Sequence, residues 1–96
     1  ILNLTSLEQA NLFKANLRGA NLTKTNLVKA NLELADLRDA RFNNTKIKDA
    51  SFTNARVSKG FQEDLQTQIS KVDYAWFSAT YKVEEIDDDN YQVLKR

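Results

Sequence analysis

The chain has 96 residues and a formal net charge of +1, and 42% of its residues are hydrophobic. It contains neither cysteine nor histidine, and its only two glycines, Gly19 and Gly60, lie far apart. This composition excludes disulfides, thiolate or imidazole metal sites, a hydrolytic triad and a glycine-rich phosphate loop. We therefore expect one small domain with no cofactor, no metal and no enzymatic activity, in which carboxylates such as Asp36 and Asp39 neutralise basic residues.

An apolar residue recurs at every fifth position from Leu2 to Val57, and a small residue, alanine or threonine, stands two positions before each from Leu7 onward. Successive apolar residues at this spacing would lie about 140° apart on a helix and on opposite faces of a flat strand. The period of five therefore predicts short extended pieces joined by bends, in a chain that coils around these side chains.

We predict that the apolar residue of each pentad fills the interior of the coil, whereas a neighbour such as Lys29 points outward. The predicted core consists of Leu12, Leu17, Leu22, Leu27, Leu32, Leu37, Phe42, Ile47 and Phe52.

The segments Ala10-Asn11-Leu12, Ala15-Asn16-Leu17 and Ala20-Asn21-Leu22 resemble the Ala-Asp/Asn-Leu-x-x motif of the pentapeptide-repeat family. The resemblance covers residues 1–60 and indicates a small bacterial, cyanobacterial-type member. It implies an all-β solenoid, a right-handed quadrilateral β-helix with four pentads per coil and about three coils. Residues twenty apart would then stack, as in the column of Leu2, Leu22 and Phe42.

The pattern changes at Gly60, so we divide the chain into a repeat region, 1–60, and a C-terminal capping segment, 61–96. Phe61, Leu65 and Ile69 are spaced by four and predict a short amphipathic helix. Phe77 lies twenty residues after Val57, which predicts that the repeat resumes briefly around residues 70–77.

Two structures are open for residues 82–96. The apolar residues on either side of Asp87-Asp88-Asp89-Asn90 favour a β-hairpin with an acidic loop. A helix from about Asp88 would place aspartates in its first turn and Lys95-Arg96 in its last, which suits the helix dipole.

The repeat region and the capping segment also differ in net charge. Residues 1–60 carry ten Lys/Arg and five Asp/Glu, a net charge of +5, whereas residues 61–96 carry four and eight, a net charge of −4. Some relatives within the family bind DNA gyrase, one by imitating duplex DNA. A DNA mimic needs a long acidic rod, because duplex DNA carries one charge per about 1.7 Å. A gyrase- or topoisomerase-binding protein is therefore our alternative, and a non-catalytic scaffold that binds another protein is our main hypothesis.

Two outward surfaces are candidates for binding. Phe13, Val28 and Leu34 are apolar at outward positions and form the predicted protein-contact patch. Arg18 and Arg38 are twenty residues apart and form a basic stripe, which we expect Asp36 beside Arg56 and Asp39 beside Lys59 to neutralise in part, so that nucleic acid is not the expected partner.

No stretch reaches the roughly 20 apolar residues of a membrane span, and no signal segment is evident. We expect a soluble protein, in the cytoplasm rather than the periplasm or thylakoid lumen, that is able to form an end-to-end homo-oligomer. The absence of methionine indicates a processed form or a piece of a longer protein.

Overall fold

The computed structural model describes residues 5–96, so the apolar residue Leu2 and its place in the first column lie outside the described residues. The elements are strand β1 (Arg56–Val57), helix α1 (Phe61–Gln68), helix α2 (Lys71–Thr80), strand β2 (Tyr81–Asp87) and strand β3 (Asn90–Lys95). The three strands form an antiparallel sheet in the order β1-β3-β2. Among the described residues, strands longer than a single bridged residue occur only in this sheet.

The repeat region is held together by single parallel bridges between residues twenty apart. Seven such bridges follow one another at intervals of five residues, from Ser6 with Asn26 to Asp36 with Arg56. Residues 5–20, 21–40 and 41–60 therefore lie on one another as a first, second and third coil. This stacking matches the twenty-residue spacing that the family resemblance implies.

The chain bends once in every pentad through a β-turn. The backbone N–H of Ala10, for example, donates to the carbonyl of Leu7 at 2.9 Å, and the same bond recurs at five-residue intervals. The third residue of the turn has a positive φ, as at Lys14 (61°) and Leu34 (60°), and Gly19 occupies this position without strain. The series ends at Asn54, and the next positive φ falls one residue late, at Gly60, where the repeat stops.

An asparagine or aspartate before the apolar residue supports six of the turns with its side chain. The Oδ1 atom of Asn26 accepts from the N–H of Val28 at 2.9 Å, and Asn11, Asn16, Asn21, Asn31 and Asp36 make the same bond. This Asx turn satisfies an N–H group that has no backbone acceptor among the described residues. The third coil has Arg41, Lys46 and Ser51 at this position and lacks these bonds among the described residues.

Among the described residues, the apolar position of the pentad is fully buried in the second and third coils. Leu22, Leu27, Leu32, Leu37, Phe42, Ile47 and Phe52 are at most 1% exposed, whereas Leu12 and Leu17 of the first coil are only partly buried against them. Two small interior residues are polar, Thr25 and Thr45, and both are buried. The hydroxyl of Thr45 donates to the carbonyl of Leu22 at 2.6 Å, so a polar atom inside the coil has a partner.

The capping segment contains more than the predicted single helix. Phe61 and Leu65 of α1 are buried, as their spacing predicts, and Ile69 ends that helix in an extended conformation. The prediction that the repeat resumes around residues 70–77 is wrong, because these residues begin α2. Ser70 caps α2 by accepting from the N–H of Asp73, and Phe77 faces the core from a helix rather than from a coil.

Residues 82–96 form the hairpin of β2 and β3, so the alternative of a terminal helix is wrong. The acidic residues lie at its tip, and Asp89 has a positive φ in the turn. The sheet order places β3 between β1 and β2, which joins the hairpin to the last side of the third coil.

Candidate interaction surface

The predicted apolar patch is divided between two sides of the coils. Phe13 and Leu34 belong to pentads that are bridged through Asn11 and Asn31, so they share one side. They are 46% and 41% exposed. Val28 belongs to the preceding side, where it lines a groove of about 500 Å³ together with Lys46, Lys48, Ile69 and Ser70.

Lysine borders the exposed aromatic ring. The ammonium of Lys14 lies 5.3 Å from the centre of the Phe13 ring, which is a cation–π distance. Next to this pair, Glu33 accepts a hydrogen bond from the hydroxyl of Ser51 at 2.8 Å. The side therefore presents an apolar centre with a basic and an acidic border, an arrangement typical of protein contacts.

The basic stripe is interrupted by carboxylates. Arg38 makes two bonds to Asp36, from Nε to Oδ1 at 2.8 Å and from Nη2 to Oδ2 at 2.6 Å. Arg18 lies 4.0 Å from Asp39, which also accepts from Ser58. Asp36 is bridged to Arg56 through the backbone, as predicted, but its closest charge partner is Arg38, because both side chains leave the same turn.

The contact between Asp36 and Arg38 changes the titration of both groups. The hydrogen bonds from the Arg38 side chain hold the pKa of Asp36 below its ordinary value, despite desolvation by burial, which acts in the opposite direction. The same hydrogen bonds raise the pKa of Arg38. The stripe thus contains a closed ion pair rather than two free guanidinium groups.

The third coil is hydrogen-bonded to the capping segment through a series of its backbone N–H groups, which form a ladder of donors. In the second coil, the N–H groups of Leu22, Leu27 and Leu32 donate to backbone carbonyls of the third coil. The equivalent N–H groups of the third coil, and those of Asn44 and Asn54 in its turns, donate to the cap instead. Their acceptors are Gln68 Oε1 for Phe42 (2.9 Å), Gln68 O for Asn44 (2.7 Å), Asp73 Oδ2 for Ile47 (2.9 Å), Tyr81 Oη for Phe52 (3.2 Å) and Val93 O for Asn54 (2.7 Å).

Tyr81 occupies two positions of this ladder at once. Its hydroxyl accepts from the N–H of Phe52 and donates to the carbonyl of Ala50 at 3.3 Å. Its ring lies 6.0 Å from that of Phe52 and 5.4 Å from that of Phe77. Sequence reasoning did not identify Gln68, Asp73 or Tyr81 as functional residues, since their partners lie 24 to 31 residues away.

Residues 5–96 contain no cluster of acidic side chains arranged to hold a metal ion, and the hairpin tip lines only an open depression with Glu85, Asp87 and Asp88. Neither α1 nor α2 has the length and apolar content needed to cross a membrane.

The chain repeats three features, which are the Asx turn, the inward leucine and the backbone bridge between residues twenty apart. These features indicate a repeat protein. A model of pentapeptide repeats matches residues 1–27 and 15–54, in eight copies. The chain belongs to the pentapeptide-repeat family. Membership implies a right-handed β-helix and suggests a non-catalytic repeat protein. No curated protein and no solved structure gives a significant match.

Proposed function

We propose that this pentapeptide-repeat protein is a scaffold that binds another protein through the side of its coils. The observation that carries the proposal is the exposure of Phe13 and Leu34 on one side of neighbouring coils. A partner that covers these large apolar side chains removes them from water, and this burial favours binding. We further propose that the coils form a right-handed quadrilateral β-helix and that residues 61–96 serve as its cap.

The test is affinity capture from a lysate of the source organism. We expect a partner to be retained by the unaltered chain and lost by the variant with Phe13, Val28 and Leu34 changed to serine. The matched control changes Val72 and Ile86 to serine, because these residues are 68% and 50% exposed on the cap. Equal retention by both variants would argue against the side of the coils as the docking surface.

A gyrase- or topoisomerase-binding protein is the weaker proposal. Its supporting feature is the acidic hairpin tip, with Glu84, Glu85 and Asp87–Asp89. Against it stands the basic repeat region, because a duplex mimic needs closely spaced negative charge along its whole length. This proposal predicts that the protein inhibits supercoiling by gyrase and that neutralising the tip relieves the inhibition. Failure to inhibit at saturating protein would rule against it.

A further inference from the structure

A groove of about 500 Å³ lies where the side of the coils that carries Val28 meets the junction of α1 and α2. Its apolar lining consists of Val28, which is partly exposed, and Ile69, which ends α1. The edge formed by the cap is fixed to the third coil, because the carbonyl of Gln68 accepts from the N–H of Asn44 at 2.7 Å. The groove is therefore formed within a single chain, before any partner binds.

Positive charge borders this groove. Four exposed lysines line it or lie one residue beyond its lining, namely Lys29, Lys46, Lys48 and Lys71. No residue of the described chain forms an ion pair with them. The carboxylates nearby are Asp49 and Asp73, and one oxygen of Asp73 already accepts from the N–H of Ile47 at 2.9 Å. Lysine thus outnumbers aspartate by four to two, and the groove suits an acidic ligand that carries an apolar side chain.

The tip of the hairpin has this character. Strand pairing shifts between Glu85 and Asp87, so Ile86 has no partner on β3 and forms a β-bulge, a feature that redirects a side chain. The Ile86 side chain is 50% exposed. Acidic residues flank it on both sides, namely Glu84, Glu85, Asp87, Asp88 and Asp89, and among the described residues only Glu84 has a cationic partner, Lys82 at 2.9 Å. The tip therefore presents one apolar side chain surrounded by negative charge.

The tip and the groove of one chain lie on different sides of the third coil. The hairpin is paired to the last side, with Arg56 opposite Gln92 and Val57 opposite Tyr91. The groove is built around residues 44–48, on the first and second sides, and no residue of the tip lines it. A tip that enters the groove therefore belongs to another molecule.

We infer that the groove binds the hairpin tip of a second copy of this chain, with Ile86 against Val28 and Ile69. Burial of these side chains removes apolar surface from water on both molecules, and the opposite charges around them orient the contact. Because the groove and the tip are different surfaces, the contact is heterologous and continues into rings or open chains. The inference does not rest on the proposed docking surface at Phe13 and Leu34, which belongs to another side of the coils.

Two variants separate the groove from the tip. The groove variant carries Lys46→Glu and Lys48→Glu, both at exposed positions. The tip variant carries Ile86→Ser, Asp87→Asn and Asp88→Asn, which removes the apolar side chain and two charges. Asparagine at position 87 keeps the oxygen that accepts a hydrogen bond within the tip, so the turn is retained.

Each variant has a control with the same change in net charge at exposed positions elsewhere. Lys14→Glu with Lys59→Glu matches the groove variant. Leu34→Ser with Glu63→Gln and Asp64→Asn matches the tip variant, since it also removes one exposed apolar side chain and two carboxylates. None of these five residues lines the groove or lies in the tip.

Sedimentation velocity of the full chain measures the association over a range of concentrations up to about 1 mM. We expect the unaltered chain and both controls to exceed the monomer mass, and the groove and tip variants to associate at least about tenfold more weakly. An equimolar mixture of the groove and tip variants should form dimers and nothing larger, because it contains one working tip and one working groove per pair. Salt at about 1 M should weaken the association, since it shortens the Debye length to ~3 Å.

Nuclear magnetic resonance locates the contact in the same mixture. With the tip variant isotope-labelled and the groove variant unlabelled, we expect the amide signals of Val28, Thr45 and Ser70 to shift, whereas that of Asn11, on another side, stays unchanged. A monomeric unaltered chain at about 1 mM would overturn the inference and leave the groove to an acidic segment of a different protein. A mixture without dimers, association that both variants retain, or shifts confined to residues outside the groove would overturn it as well.

Discussion

At the scale of the residue, position within the pentad decides how a side chain contributes to stability. Leu27 is fully buried between the first and third coils, whereas Lys29, two residues later, is exposed at the turn. The same substitution at these two positions therefore tests which side chains point into the coil and which point outward.

We expect Leu27→Asp to unfold the repeat region, because it replaces leucine contacts worth about 2–5 kcal/mol with an unpartnered carboxylate in a dry interior. Lys29→Asp should change the free energy of unfolding by less than about 1 kcal/mol, since it lies at the surface. Urea denaturation followed by circular dichroism measures both. If Leu27→Asp folds and Lys29→Asp does not, the assignment of inward and outward positions in the pentad is wrong.

Asp36 combines two roles that can be separated. Its Oδ1 atom accepts from the N–H of Arg38 in the Asx turn at 3.2 Å, and both oxygens bind the Arg38 guanidinium. Asp36→Asn keeps the turn and should cost less than about 1 kcal/mol at pH 7. Asp36→Ala loses the turn as well and should cost about 1 kcal/mol more.

The ion pair also predicts a pH dependence. Because the folded-state pKa of Asp36 is lowered, its contribution is present above the ordinary unfolded pKa of about 3.9 and is lost as the pH falls through the folded value. The stability difference between the unaltered chain and Asp36→Asn should therefore shrink between pH 7 and pH 3. An unchanged difference would show that the bidentate contact contributes nothing.

At the scale of the element, the cap is attached to the third coil by a few long-range hydrogen bonds and by ring packing. The ring of Phe61 lies 5.7 Å from that of Phe42, and Phe52 contacts both Phe77 and Tyr81. The replacement of leucine by phenylalanine at positions 42 and 52 therefore marks the coil on which the cap rests.

Tyr81→Phe tests the dual role of its hydroxyl. The substitution leaves the N–H of Phe52 and the carbonyl of Ala50 without a partner in a buried site, and we expect a loss of about 1–3 kcal/mol in the free energy of unfolding. Tyr91→Phe is the control, because no described residue bonds its hydroxyl, and it should cost less than about 0.5 kcal/mol. Equal losses in thermal or urea denaturation would show that the Tyr81 hydroxyl is not part of the ladder.

The repeat and the cap differ in how far sequence alone predicts them. A pentad uses the same local bonds throughout, so the inward leucines and the outward Lys29 follow from the period, whereas the stacking by twenty is implied by the family resemblance. Phe77 falls into that period by coincidence, whereas Ser70, with Asp73 three residues on, is a helix-capping signal that the period conceals. The acceptors Gln68, Asp73 and Tyr81 could not be predicted, because their partners are fixed only by how the folded cap sits on the third coil.

At the scale of the whole molecule, the coils should differ in how often they open. The N–H groups of Leu27 and Leu32 donate to backbone carbonyls inside the stack, whereas those of Ile47 and Phe52 depend on side chains of the cap. Side-chain acceptors leave when the cap moves, even while the coils stay intact. Stability is then graded along the molecule rather than uniform.

Amide hydrogen exchange measured by NMR tests this gradient. In a Gln68→Ala/Asp73→Ala variant we expect exchange at Ile47 to accelerate at least about tenfold, which corresponds to ~1.4 kcal/mol less protection. Leu27 and Leu32 should keep the rates of the unaltered chain, because their acceptors belong to the third coil. Equal acceleration at all three amides would mean that the cap and the coils open only together, by global unfolding.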